Sequence, residues 1–146
     1  MPTRVRALAA TALTVLALAG ATSPPTSDSF RDLRANSCQP RPAGGCAYGI
    51  VVNYWRKAGS AQRHVAWVRA SRSPVARGAV YRAQWSYQEP GRVARVGGGW
   101  RRGAVVHSWH EVTWGRGGHT GPAVAPGTRV CVLFNFGSAR QCVELH

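Results

Sequence analysis

The side chains able to do acid–base chemistry are few, and that scarcity is the first constraint. Asp28, Asp32, Glu89, Glu111 and Glu144 are the five acids of the 146-residue chain, and no Asp follows position 32. A Ser-His-Asp triad in its usual form is therefore missing from the later sequence, where an orienting acid would have to be a Glu. A two-carboxylate glycosidase would need two of Glu89, Glu111 and Glu144 side by side. Carboxylate-rich calcium sites are excluded as a main theme. The densest polar cluster is His107, His110 and Glu111. On a strand His107, Trp109 and Glu111 share one face while His110 points to the other. At ~3.3 Å per residue His107 and Glu111 stand about 13 Å apart, and His107 and His110 cannot chelate one metal. Val105, Val106, Trp109, Val112, Thr113 and Trp114 favour the strand over a helix that would bring the pair together. No catalytic residue, metal ligand or cofactor is assigned. The enzymatic alternative is a small secreted basic hydrolase of ribonuclease type. His64, His107 and Glu111 would be its acid and base, with Arg on the phosphate. Its parts are present, but their arrangement matches no motif.

Binding chemistry is better represented. Gly97-Gly98-Gly99-Trp100-Arg101-Arg102-Gly103 and Trp114-Gly115-Arg116-Gly117-Gly118-His119 interleave Trp, Arg and Gly. Arg and Trp anchor interfaces, and Trp stacks on sugars, bases and other rings. Neither segment has the Gly-Lys-Ser/Thr ending of a phosphate-binding P-loop. Trp100, Arg101, Arg102, Trp114 and Arg116 are the candidate binding residues. The competing assignment is that Trp100 and Trp114 cap a core while Gly makes turns; with six Trp in the chain, at least three are expected inside. The full chain carries 19 basic residues against 5 acidic ones, and Lys57 is the only Lys. A GC-rich genome explains the choice of Arg over Lys but not the shortage of acids. A polyanionic partner would explain both.

The elements that must position these groups begin after an export signal. Arg4 and Arg6 form a charged start, Ala7 to Leu18 an apolar run, and Ala17-Leu18-Ala19 and Ala19-Gly20-Ala21 two A-x-A cleavage sites. That order reads as a signal peptide over 1–21, too short to span a bilayer before Gly20 and Pro24-Pro25. The chain is thus expected to be secreted and extracellular, with no membrane insertion after cleavage. Without Arg4 and Arg6 it keeps 17 basic residues against 5 acidic, a net charge of +12. In an exported chain four cysteines read as two disulfides, and spacing favours Cys38–Cys46 and Cys131–Cys142 among the three pairings. The second pair brackets a hairpin turning near Phe136-Gly137. Residues 22–37 read as a flexible arm, Pro/Ser/Thr-rich at first, with Phe30 and Leu33 as an anchor pair for a partner.

From Cys38 to His146 the pattern is that of one β domain. Runs at 47–55, 64–70, 79–87, 92–96, 104–114, 128–136 and 141–145 read as strands. Tyr81, Ala83, Trp85 and Tyr87 fall on one face of the third. Val106, Ser108, His110, Val112 and Trp114 share a face of the long fifth. Turn signals at Ser73-Pro74, Glu89-Pro90-Gly91 and Pro126-Gly127 separate them, and 97–103 and 115–122 read as mobile Gly-rich loops. Short strands at this spacing predict an all-β fold, an antiparallel sandwich or small barrel.

In its layout of signal peptide, Pro/Ser arm and two-disulfide domain rich in Arg, Ala, Gly and Trp, the chain resembles small exported β proteins of GC-rich actinobacteria. It is similar in build to the stalk adaptor of secreted umbrella-shaped toxin particles. That resemblance implies a non-catalytic binding or adaptor module whose partners are other secreted proteins, linking subunits of an exported toxin complex. A free polyanion- or carbohydrate-binding protein is the remaining alternative, with a polyanion or glycan as ligand.

Overall fold

The computed structural model describes residues 29–136 and 140–146. The expected signal peptide, the first part of the arm and the tip of the last hairpin at 137–139 lie outside the described residues. Ten strands follow in order: β1 (Phe30–Pro40), β2 (Cys46–Lys57), β3 (Arg63–Arg72), β4 (Arg82–Gln88), β5 (Arg95–Arg102), β6 (Ala104–Val106), β7 (Trp109–Gly115), β8 (Ala123–Val124), β9 (Thr128–Phe134) and β10 (Arg140–Leu145). They form two antiparallel sheets. The first has the order β1-β2-β3-β7-β6, with β8 pairing β3 beside β7; the second has the order β10-β9-β4-β5. Among the described residues no helix is long and apolar enough to cross a membrane.

The sheets bury what period-two alternation puts on their facing sides. From the first sheet come Ile50, Val52 and Tyr54 of β2, Val68 and Ala70 of β3, and Val112 and Trp114 of β7. From the second come Ala83 and Trp85 of β4, Val130, Val132 and Phe134 of β9, and Val143 and Leu145 of β10. Tyr81, just before β4, is buried with them, and Tyr87 packs half-buried at the margin. Each fully buried Val, Ile or Leu contributes about 1.5–3 kcal/mol relative to exposure. Cys131 and Cys142 stand directly opposite each other on β9 and β10, and Cys38–Cys46 closes the turn between β1 and β2. A bridge across the β9–β10 hairpin stabilises by about 3 kcal/mol on loop entropy.

Several boundaries differ from the sequence reading. Residues 30–37, expected in a flexible arm, are the first part of an eleven-residue strand. β1 pairs antiparallel with β2 from Phe30 opposite Lys57 to Pro40 opposite Cys46. The register places Leu33 beside Tyr54 and Ala35 beside Val52, so both pack against the core. The segment looked too polar to join it because only those inward positions are apolar; Phe30, Asp32, Arg34 and Asn36 face out. The run at 97–102 is strand β5 rather than loop. The long strand expected over 104–114 is a hairpin, β6 turning into β7 through His107 and Ser108, with Val106 opposite Trp109. His107 takes the left-handed conformation there (φ 56°), in the turn position where Gly is usual. His110, Val112 and Trp114 do share the buried face, whereas Val106 and Ser108 are exposed.

His110 is only 3% exposed, meets the edge of Tyr81 at 5.1 Å, and has no hydrogen-bond partner at Nδ1. Burial, then the Arg102 and Arg72 guanidinium groups, hold its pKa below the ordinary value of 6.5. The unfolded chain therefore binds a proton that the folded chain resists. Stability is complete above 6.5 and falls as pH drops from there toward the lowered folded value. His110→Phe keeps the ring contact and removes both the titration and the unpaired nitrogen. The thermal midpoint of the parent is expected to fall between about pH 7 and about pH 5 by clearly more than that of the variant. Parallel pH profiles would show that another group governs acid lability.

Candidate functional site

On the outer face of the second sheet two arginines from neighbouring strands stand directly opposite each other. On β4 and β5 the register sets Arg82 directly opposite Arg102. Trp100 lies two residues earlier on β5, so it shares the face of Arg102, and it is 49% exposed. Further across the sheet Leu133 of β9 sits between Gln84 of β4 and Arg140 of β10. Arg82, Arg102 and Arg140 are all exposed. Like charges placed opposite each other in a sheet destabilise it, and among the described residues no carboxylate pairs with any of the three. Glu144 belongs to the same face but stands opposite Arg129, about 13 Å along β10 from Arg140. Arg101 points the other way from Arg102. Its Nη1 donates to the Thr113 carbonyl at 2.8 Å, tying β5 to β7 of the other sheet. Val96, opposite Ser86 on β4 and 63% exposed, extends the apolar part of this face along β5.

The remaining candidates fall elsewhere. Leu33 is part of the packed interior, and Phe30 joins an aromatic cluster on the outer face of the first sheet. There His64 stacks flat on Trp55 (3.9 Å between centroids), Phe30 meets the edge of Trp55, and His119 stacks on Phe30 at 4.2 Å. His119 Nε2 lies 3.2 Å from Asp32 Oδ1, and Trp55 Nε1 donates to the Thr120 carbonyl at 2.9 Å. The cluster staples the segment after β7 onto β1 and β2. No local signal in the sequence announces it, because Asp32, Trp55, His64 and His119 meet only through strand register and loop path.

That same geometry separates the acid–base set of the hydrolase alternative. Glu111 is opposite Ser71 on β3 and ion-pairs with Arg69 (3.8 Å). His64 is seven residues along the same strand from Ser71, about 23 Å away. His107 occupies the β6–β7 turn. Glu89 accepts from the Ala125 amide at 3.0 Å and faces Arg92.

Trp114 and Arg116 flank a cleft. β7 leaves β3 at Gly115, opposite Trp67, and β8 rejoins it at Ala123, opposite His64. Between them no strand pairs with this edge of β3 at Val65 and Ala66, where the Val65 amide donates to the Pro122 carbonyl. This gap opens an apolar cleft of about 460 Å³ reaching Trp85 and Gly97 of the second sheet. Gly115 shapes its mouth: it has φ 85°, and a Cβ there would collide with the Ala66 carbonyl oxygen. Trp114 itself is 6% exposed and donates from Nε1 to the Gly99 carbonyl at 3.2 Å, so it belongs to the core and the cleft wall at once. Comparison with protein-family models, with curated proteins and with solved structures finds no match to the chain.

Proposed function

We propose that the chain is an exported, non-catalytic adaptor that docks an acidic protein partner on the outer face of the second sheet. The observation that carries this reading is the pairing of Arg82 with Arg102, exposed beside Trp100 and, among the described residues, without a carboxylate contact. A partner's Asp and Glu side chains would relieve that repulsion, and charge-complementary docking gives orientation and fast association. Trp and Arg are the residue types that dominate binding energy, and Leu133 and Val96 supply apolar area around them. The two disulfides suit an extracellular setting. The strong net charge disfavours a second copy of this chain as the occupant. The similarity in build to stalk adaptors of exported toxin particles supports a partner among secreted proteins.

The test uses the full chain to capture proteins from culture medium at physiological salt. Recovery of acidic exported proteins is expected, with Trp100→Ala and Arg102→Ala each weakening the captured complex at least tenfold, about 1.4 kcal/mol. The Arg116→Ala variant should behave as the parent. Heparin or RNA binding whose affinity falls steeply with salt, with no protein captured, would replace the adaptor by the polyanion-binding alternative.

A further inference from the structure

We infer that the cleft beside β3 binds a flat aromatic ring bearing one anionic group. Trp67, Trp85 and Trp114 are among its lining residues; Trp85 and Trp114 turn to the interior, while Trp67, next to the inward Val68 that pairs with Trp114, lies at the rim on the outward side of β3. Each comes from a different strand, β3, β4 and β7. Aromatic faces favour another ring in offset or edge-on contact. The volume of about 460 Å³ lies within the range of small-ligand sites, about 300–1,000 Å³. Among the described residues the lining holds one charged side chain, Arg116, and one side-chain hydroxyl, Thr120. No carboxylate contributes, so a cationic ring would find no counter-charge. A saccharide would leave most of its hydroxyls facing indole and glycine without partners, which is costly. A ring with a single carboxylate or sulfonate satisfies the apolar walls and lets the guanidinium take the anion.

The surroundings hold this cleft open. Gly115 keeps the end of β7 against Ala66 with no side chain in the mouth. The Trp55 Nε1 bond to the Thr120 carbonyl and the contact of His119 with Phe30 and Asp32 fix the far wall. Arg69 lies over the Trp67 ring at 5.3 Å, holding the most accessible indole in place. The inference is independent of the basic face on the second sheet, and Arg116 takes no part in that reading.

Intrinsic tryptophan fluorescence of the full chain, titrated with 2-naphthoate and with neutral 2-naphthylmethanol, tests it. Saturable quenching is expected, with naphthoate at least tenfold tighter than the alcohol. Arg116→Ala should bring the two probes within about twofold of each other, and Trp67→Ala should weaken both. Trp100→Ala, on the basic face, should change neither. Because Trp67→Ala loosens one wall, indole N–H chemical shifts provide a second readout. Naphthoate should move the resonances of Trp67, Trp85 and Trp114 and leave Trp100 in place. Equal affinity for the two probes, no saturable binding, or shifts confined to Trp100 would overturn the assignment.

Discussion

Deleting residues 30–36 is expected to strip the protein of most of its stability. The segment supplies the edge strand of the first sheet, paired residue by residue with β2. Its removal uncovers one side of Tyr54 and Val52, which are 5% and 0% exposed, and deletes Leu33 and Ala35 from the packing. It also releases His119, which loses both Phe30 and Asp32. A small domain holds only about 5–15 kcal/mol in total, so losing on the order of 5 kcal/mol is decisive. The thermal midpoint should fall by at least about 15 °C, and the bared β2 edge should promote aggregation. Leu33→Ala alone, at a half-buried site, should cost about 1–2 kcal/mol. A spacer arm would instead leave the midpoint within about 2 °C of the parent. Calorimetry on the chain with and without the segment separates the two outcomes, and the Cys38–Cys46 bridge survives in both.

Gly98→Ala is expected to destabilise by about 2–3 kcal/mol, while Gly99→Ala next to it stays within about 0.5 kcal/mol. A Cβ on Gly98 would stand 2.5 Å from Trp85 Nε1 and 2.6 Å from Trp114 Cδ1, whereas one on Gly99 meets nothing within 4 Å. Both indoles are more than nine-tenths buried and fixed on their own strands, so neither can move aside without disturbing the core. The pairing of β4 with β5 shifts register on both sides of Trp85, which lets the glycine backbone lie over the ring. Were 97–103 a mobile loop, both substitutions would be equally neutral. Chemical denaturation of the two variants distinguishes a packing platform from a loop, and Gly99 serves as the internal control.

The history of those glycines shows where local reading stops. Three successive glycines followed by Trp100, Arg101 and Arg102 have the composition of a flexible binding loop, and nothing within the heptapeptide says otherwise. What makes them a strand is the bulk of Trp85 and Trp114, which arrive from strands before and after and require a partner without side chains. The arm shows the same limit. Asp32, Arg34 and Asn36 made it look solvated, yet alternation with Leu33 and Ala35 is the signature of an edge strand with one buried face. The fifth run is two strands because His107 and Ser108 at its centre turn the chain, and the pair lacks the Gly that marks a two-residue hairpin in sequence.

By itself the sequence determined the fold class, the location of most strands and both disulfides. These follow from period-two alternation, turn residues and short cysteine separations, all readable within a window of about ten residues. It also determined the basic balance and the shortage of carboxylates. Tertiary structure alone decided which groups meet: Arg82 with Arg102, Asp32 with His119, and three tryptophans from different strands around one cleft. The physical reason is that strand order and register depend on how two whole sheets bury their apolar faces against each other. A one-residue slip would turn every one of those side chains to the opposite side.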